Sequence, residues 1–383
     1  MTMRAAIFHE HGGPEVVRIE QVARPRPGPG EVLVQVRAAA MNHLDLWVRR
    51  GIPIETTMPH IGGSDIAGVI AEVGEGVDDA RVGERVVINP SLWCGRCLPC
   101  ARGEESMCER FRILGEHTDG GFAEFVLVDA DHVYRIPDEM PFEEAAAIPI
   151  SYMTAWRALV TRAVLKPGED VLVIGASGGT ALAAVQIARL MGARVFAVTK
   201  GAEKVQRLRE LGADVVYDRG ETDWSKAVYK DTGKRGVDVV VENVGAATWT
   251  GSVRALANGG RLVTYGGTAG PKVELDLRSV FWRQIQVIGT TMASRGEFED
   301  LLRVIFAGRL CPIVDSVMPL DDARAAHAYL TETRRVPPGD SSAANNCRRP
   351  STAATVTLED ALTCTPDNST SASSPLAQSS STS

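Results

Sequence analysis

A rhythm in the middle of the chain constrains the fold most. Between about Pro149 and Met292, short apolar runs recur about every 23 residues: VLVIG, RVFAVT, DVVYD, VDVVVENVG, RLVTYGG and IQVIGT. Helical patterns fill several of the gaps. In KVQRLRELG, Val205, Leu208 and Leu211 fall at helical spacing and Gly212 supplies the stop. Six strands separated in this way predict a parallel, doubly wound α/β sheet, because parallel neighbours need a crossover between them.

The first run opens the segment VLVIGASGGTALAAVQIARLMGARVFAVTK, which reads strand, glycine turn, helix, strand. Gly175, Gly178, Gly179 and Thr180 lie at the turn. There a dinucleotide pyrophosphate can approach the backbone, and the free N–H groups and dipole of the helix start favour an anion. The same glycines also suit a tight turn with close helix packing. The second run ends in Val198-Thr199-Lys200-Gly201, without the acidic residue that accepts the ribose hydroxyls of NAD. With no charge to repel a 2′-phosphate and with Lys200 and Lys204 able to pair with one, the reading favours NADP(H) over NAD(H). Both lysines equally fit a solvated helix start.

The flanks have a different texture. From Met1 to about Asp129 the strands MRAAIF, EVVRIEQV, EVLVQVRAAA, AGVIAEV, RVVIN and FAEFVLV alternate with Gly, Pro and Asp clusters, which predicts an all-β module. Residues 293 to 335 return to helix, a short β-like segment and helix. From 336 to 383 the text shifts: 18 of 48 residues are Ser or Thr, five are Pro and none is aromatic. Such a segment buries too little apolar surface to offset its ordering entropy, so a disordered tail is expected.

Composition narrows the function classes. The chain has 383 residues with a net charge of −7 and no long Lys/Arg run, unlike a nucleic-acid binder that neutralises phosphates. No stretch reaches the roughly 18 apolar residues of a membrane span. The N-terminus lacks the apolar core of a secretory signal, and a cytoplasmic location is expected. Of seven cysteines, Cys94, Cys97, Cys100 and Cys108 spell C-x2-C-x2-C-x7-C. Four thiolates on one loop close a tetrahedral shell, which predicts one structural Zn2+ with no open position. Redox-active thiols and an iron-sulfur cluster are the alternatives.

Together, MRAAIFHEHGGPEVV, GPGEVLVQVRAAAMNHLDLWVRRG, GSDIAGVIAEVGEGV with RVGERVV, the four-cysteine loop, VLVIGASGGTALAAVQIAR, and ENVG followed by YGGTAG resemble the medium-chain dehydrogenase/reductase superfamily. The likeness covers positions 1 to about 335 and is to its zinc-containing alcohol dehydrogenase-like and quinone oxidoreductase-like members. It implies a GroES-like catalytic module (1–148, with the zinc lobe at 94–108), an inserted Rossmann domain (149–292), a return segment (293–335) and the tail (336–383). The active site is expected in the cleft between the two domains, and a homodimer is expected.

Members that are true alcohol dehydrogenases hold a catalytic zinc through Cys, His and Cys, and the matching positions here are Asn42, Ser64 and Ile150. None is a good zinc ligand, so the resemblance implies loss of the catalytic zinc alone. A replacement site from His43, His60, Asp45 or Asp65 is the alternative. Leu44 replaces the hydroxyl residue that starts the family's proton relay. His43 matches a position that contacts the pyrophosphate, and Thr154 one near the nicotinamide. Asn243, Val244 and Gly245 follow the fourth strand where ribose and nicotinamide pass, and Gly266, Gly267 and Thr268 follow the fifth. The family's closing C-terminal strand is expected to be missing.

Without a Lewis acid, a quinone or an α,β-unsaturated carbonyl is the suitable small-molecule acceptor, because the charge left by hydride addition spreads onto oxygen. Asn42 can donate to that oxygen and Tyr152 can supply a proton, although a loop-capping amide and a packed aromatic are the plain alternatives. Asp45 is expected to orient the 42-to-65 loop pair by hydrogen bonds. A zinc-dependent alcohol dehydrogenase and a catalytically weak nucleotide-binding protein remain the competing functions.

Overall fold

The computed structural model describes residues 1–54, 56–332 and 356–359. The first part of the chain forms β1 (Thr2–Phe8), β2 (Arg18–Ala23), β3 (Glu31–Ala40), α1 (His43–Arg50), β4 (His60–Ile61), β5 (Asp65–Val73), β6 (Arg85–Ile88), β7 (Ser91–Leu92), α2 (Leu98–Ala101), β8 (Arg112–Ile113), β9 (Phe125–Asp129) and β10 (Val133–Arg135). β3 and β5 pair antiparallel at the centre of the larger sheet, with β6 and β10 beyond β5. In β3, Val32, Leu33, Val34 and Ala38 to Ala40 are all fully buried, so this strand carries little solvent face. EVVRIEQV, read above as one strand, instead opens with a 3-10 turn over Pro14–Val16, because Pro14 cannot donate to a ladder and presets a turn.

The middle of the chain runs α3 (Phe142–Ala146), α4 (Pro149–Trp156), β11 (Asp170–Ile174), α5 (Gly179–Leu190), β12 (Arg194–Thr199), α6 (Ala202–Glu210), β13 (Val215–Asp218), α7 (Trp224–Asp231), β14 (Val237–Glu242), α8 (Trp249–Ala255), β15 (Leu256–Thr264), α9 (Leu277–Arg283) and β16 (Gln286–Gly289). The six strands are all parallel in the order β13-β12-β11-β14-β15-β16. Both faces are covered, which is why the runs are continuously apolar. Val171, Val173, Val195, Ala197 and Val241 pack on one side, and Leu172, Ile174, Phe196, Val198 and Val240 on the other. The order reverses between β11 and β14, and that reversal opens a crevice at their C-terminal ends.

The chain then returns through α10 (Arg295–Phe306), β17 (Ser316–Pro319), α11 (Ala323–Glu332) and β18 (Val356–Glu359). β18 corrects the expectation of a tail disordered throughout and of a missing closing strand. It lies between β3 and β17, antiparallel to the first with Thr357 opposite Ala40, and parallel to the second with Ser316 opposite Val356. The physical reason is local: V-T-L-E is a short β-prone run hidden in a polar segment, and the end of β3 offers a row of main-chain groups that need partners. The tail expectation for 336–355 and 360–383 lies outside the described residues.

Candidate functional site

The cysteine loop gathers its four thiols. The Sγ atoms of Cys94, Cys97, Cys100 and Cys108 all lie within 4.8 Å of one another, with Cys97 3.4 Å from Cys100 and 3.8 Å from Cys108. Four sulfurs bound at about 2.3 Å around a tetrahedral ion stand about 3.8 Å apart, so the donor set fits zinc. The N–H groups of Cys94 and Arg110 each point at Cys108 Sγ from 3.3 Å. The N–H groups of Arg96 and Cys97 draw the Cys94 thiol down to about 6, toward the thiolate that a metal requires. Among the described residues this is the only set of three or more His, Cys, Asp or Glu donors drawn together closely enough for one ion.

The nucleotide crevice is built from strand ends. Gly175 follows β11 with φ of 62°, and a Cβ there would stand 3.0 Å from Asn243 Oδ1 and 3.1 Å from a Val244 methyl, so the turn lies against the segment that leaves β14. Gly178 caps α5 without a side-chain hydrogen bond, and the main-chain N–H groups of Gly179 and Thr180 begin the helix. Buried Glu242 accepts from the N–H groups of Val244 (2.7 Å) and Gly245 (3.1 Å) and from the Thr248 hydroxyl, which fixes the bend after β14. Thr268 donates its N–H to the Asn243 carbonyl at 3.1 Å, drawing the Gly266–Gly267 turn onto the same place. The fit of these residues to a dinucleotide is chemical as well as spatial: the Thr199 hydroxyl is buried with no partner among the described residues.

At the end of β12, Lys200 is exposed and Lys204 half-buried. Asp218, at the end of β13, accepts the N–H groups of Gly201 and Gly220 at 2.8 Å each, which hold its carboxyl below the usual range. The charge of Arg219 bears on both Asp218 and Lys204, so a third cation stands beside the two lysines. Sequence reading missed it because a single Arg in a DRG turn carries no signal until β13 is set next to β12.

A second group of polar residues centres on Asp65. Its Oδ2 accepts from Asn42 Nδ2 and its Oδ1 from the Ile150 N–H, both at 2.9 Å. Ser64, next to it in the chain, is fully buried and its hydroxyl has no partner. Asp45, buried on α1, accepts the N–H groups of Asn42 (2.6 Å) and Gly63 (3.1 Å), tying the two loops together. Burial raises Asp45 to about 7 and Asp65 to about 8, the latter helped by the Asp45 charge. Burial also raises Glu116 to about 7 and keeps His43, at the start of α1, below its ordinary value. His60 instead has its Nε2 3.0 Å from the Gly115 carbonyl oxygen.

Two expectations meet different geometry. Tyr152 is 3% exposed, its hydroxyl donates to the Cys311 carbonyl at 2.6 Å, and it accepts from Gln186 Nε2 at 2.9 Å. Its proton is already committed inside the core, so the donor role is corrected in favour of the packed aromatic. Asn42 sits at the N-cap of α1 and binds two carboxyl groups, with one amide hydrogen still free. Thr154 is buried on α4.

The chain is similar to known proteins along most of its length. The alcohol dehydrogenase GroES-like domain matches residues 28–138 and the zinc-binding dehydrogenase domain residues 179–307. An alcohol dehydrogenase of Geobacillus stearothermophilus is 35% identical over 325 residues, which is 84% of this chain and 94% of that protein. A quinone oxidoreductase of Homo sapiens is 32% identical over 338 residues, 86% of this chain and 94% of that one. Among solved structures, an NAD-dependent alcohol dehydrogenase superposes with a TM-score of 0.85 at 41% identity, covering 93% of this chain and 99% of its own.

Proposed function

The chain belongs to the medium-chain dehydrogenase/reductase superfamily and is an NAD(P)-dependent oxidoreductase of that type; from this premise we propose that it transfers hydride to a quinone or an α,β-unsaturated carbonyl with no metal at the reacting oxygen. The observation that carries the reading is the meeting of Asn42 and Ile150 at the Asp65 carboxyl, with Ser64 next to it in the chain. By the family resemblance, Asn42, Ser64 and Ile150 match the positions at which zinc-dependent members supply ligands; here one is an amide already bonded to Asp65 and one is a hydrocarbon. When bound, the nicotinamide supplies the hydride. The free Asn42 N–H is the group of this chain that can polarise the acceptor oxygen, and a conjugated acceptor spreads the resulting charge.

The cofactor reading is NADP(H) in preference to NAD(H). Lys200, Lys204 and Arg219 supply positive charge at the ends of β12 and β13, and the nearby Asp218 carboxylate is occupied by two N–H groups. A homodimer is supported by the outer edge of β16, unpaired among the described residues, beside Leu277, Phe281 and Trp282, which are 71%, 66% and 82% exposed. Among the described residues no helix is long and apolar enough to cross a membrane. A cytoplasmic location suits four thiols that must stay reduced to hold zinc.

The likeness to alcohol dehydrogenases favours a second reading, zinc-dependent interconversion of alcohols and aldehydes. Zinc per chain, measured with NADPH oxidation against quinones, enals and aldehydes, separates the two. One zinc with quinone or enal turnover is expected; two zincs with alcohol oxidation overturn the metal-free cleft.

A further inference from the structure

Asp65 is 1% exposed and stands at the point where three loops converge: its oxygens take the Asn42 amide from the start of α1 and the Ile150 N–H from α4, and Ser64 precedes it in the chain. Its neighbours are carboxyl groups. Asp45 on α1 is bridged to it through Asn42, whose main-chain N–H binds one carboxyl and whose side chain binds the other. Glu116, from the loop after β8, feels the Asp45 charge and has a buried Oε2 without a partner. His60 on β4 is disfavoured as a cation by burial, and the nearest basic group to Glu116 is the His117 Nδ1 at 3.8 Å. That nitrogen accepts the Ile113 N–H, so it carries no proton of its own. Among the described residues no Lys or Arg forms an ion pair with any of the three acids.

Carboxyl groups packed out of water without a cation cannot all ionise, so protons stay in the cluster. Each oxygen of Asp65 accepts one N–H and retains a second lone-pair direction, so a neutral Asp65 keeps both of its hydrogen bonds and still has an O–H to give.

We propose that Asp65, in its neutral form, is the general acid of the reduction and takes the place of the metal at the substrate oxygen. The inference rests on the metal-free reading above. With the nicotinamide bound, its hydride pair would form a C–H bond at the β carbon of the conjugated acceptor, the C=C π pair would become the double bond of the enol, and the carbonyl π pair would move onto oxygen. The Asp65 O–H bond then breaks. Its proton forms the new O–H bond of the enol, which in the quinone case then tautomerises to the hydroquinone, and its electron pair remains on the carboxylate. The substrate would be reduced by two electrons, which a bound nicotinamide would supply. Asp65 then regains its proton from solvent.

The test uses full-length protein loaded with NADPH, a quinone and enal panel, and Asp65→Asn. The expected result is wild-type turnover whose kcat falls above an apparent pKa near 8, and a variant kcat lower by about 100-fold or more with that alkaline limb lost and NADPH affinity retained. Infrared spectra at pH 7 should show a protonated-carboxyl band that Asp65→Asn removes. Wild-type turnover with an unchanged variant kcat and pH profile overturns Asp65 and leaves the functional reading standing. No turnover of any quinone or enal by wild type overturns the reading, and the inference with it. Should Asp65→Asn fail to fold, Asp65→Glu keeps the acid and shifts the band. A wild-type spectrum without a protonated-carboxyl band at pH 7 is then decisive against the proposal.

Discussion

Arg157 reaches out of the core to the cysteine loop, where its Nη2 donates to Glu104 Oε2 at 2.7 Å, while its Nη1 donates to Glu297 Oε2 at 2.5 Å. The guanidinium is 2% exposed and neutralised from both sides. Glu297 also closes the capping box of α10 by accepting the Ser294 N–H. One buried cation thus joins the cysteine loop, the chain following α4 and the return helix.

The two acids should not be equivalent. Glu297 is 12% exposed and Glu104 41%. Breaking a buried pair from one side costs about 3–5 kcal/mol, whereas a half-exposed partner contributes less through solvent screening. Urea unfolding should show a larger loss for Glu297→Gln than for Glu104→Gln. Equal losses would mean that the pairs are equally hydrated.

Removing a ligand should empty the cysteine loop. Cys100→Ser is expected to abolish zinc binding by metal analysis and to lower Tm by several degrees, because the free energy of binding a structural metal is free energy of folding. An unchanged Tm with full zinc content would rule out a four-sulfur site.

Cofactor choice is testable at the ends of β12 and β13. Loss of one charge-assisted contact to a phosphate is worth roughly 1.5–3 kcal/mol, so Lys204→Ala and Arg219→Ala should each raise KM for NADPH about tenfold or more. KM for NADH should stay constant. Parallel rises for both cofactors would place these cations away from the 2′-phosphate.

Stability should also depend on pH in a defined direction. The folded values of Asp45, Asp65 and Glu116 lie near 7 to 8, above the ordinary values of 3.8 to 4.5 for these side chains. The folded state therefore binds more protons, and the three groups contribute stability that is complete below about pH 4 and is lost as pH rises toward 8. Thermal scans should show Asp45→Asn gaining on wild type between pH 5 and pH 8.5. A gain that shrinks over that range would refute the raised values.

The apolar patch beside β16 gives a fifth expectation. Trp282→Glu should shift a dimer to a monomer in light scattering while leaving the far-UV spectrum unchanged, because Trp282 is 82% exposed in the single chain. A dimer that survives both Trp282→Glu and Phe281→Glu must use another face.

Much of this was legible in the sequence where one segment carries the whole pattern. The glycine turn, the recurring strands and the four cysteines each sit within one short stretch, and periodicity or spacing reports them directly. What the sequence hid depends on distant segments meeting. Asp65 draws in Asn42 and Ile150, which lie 23 and 85 positions away. Tyr152 looked free until Cys311 and Gln186 closed on its hydroxyl. Arg219 joined Lys204 only when two parallel strands were set side by side. β18 failed for another reason: composition averaged over 48 residues conceals four that alternate.

The position of β18 also sets an order of assembly. Its pairing with Ala38 to Ala40 joins segments roughly 320 residues apart, whereas the six parallel strands come from one continuous stretch. On a ribosome the nucleotide-binding unit can therefore complete its core while the N-terminal β-module still lacks a strand, and that module must wait half-built, with the flank of β3 open, until the last part of the chain emerges.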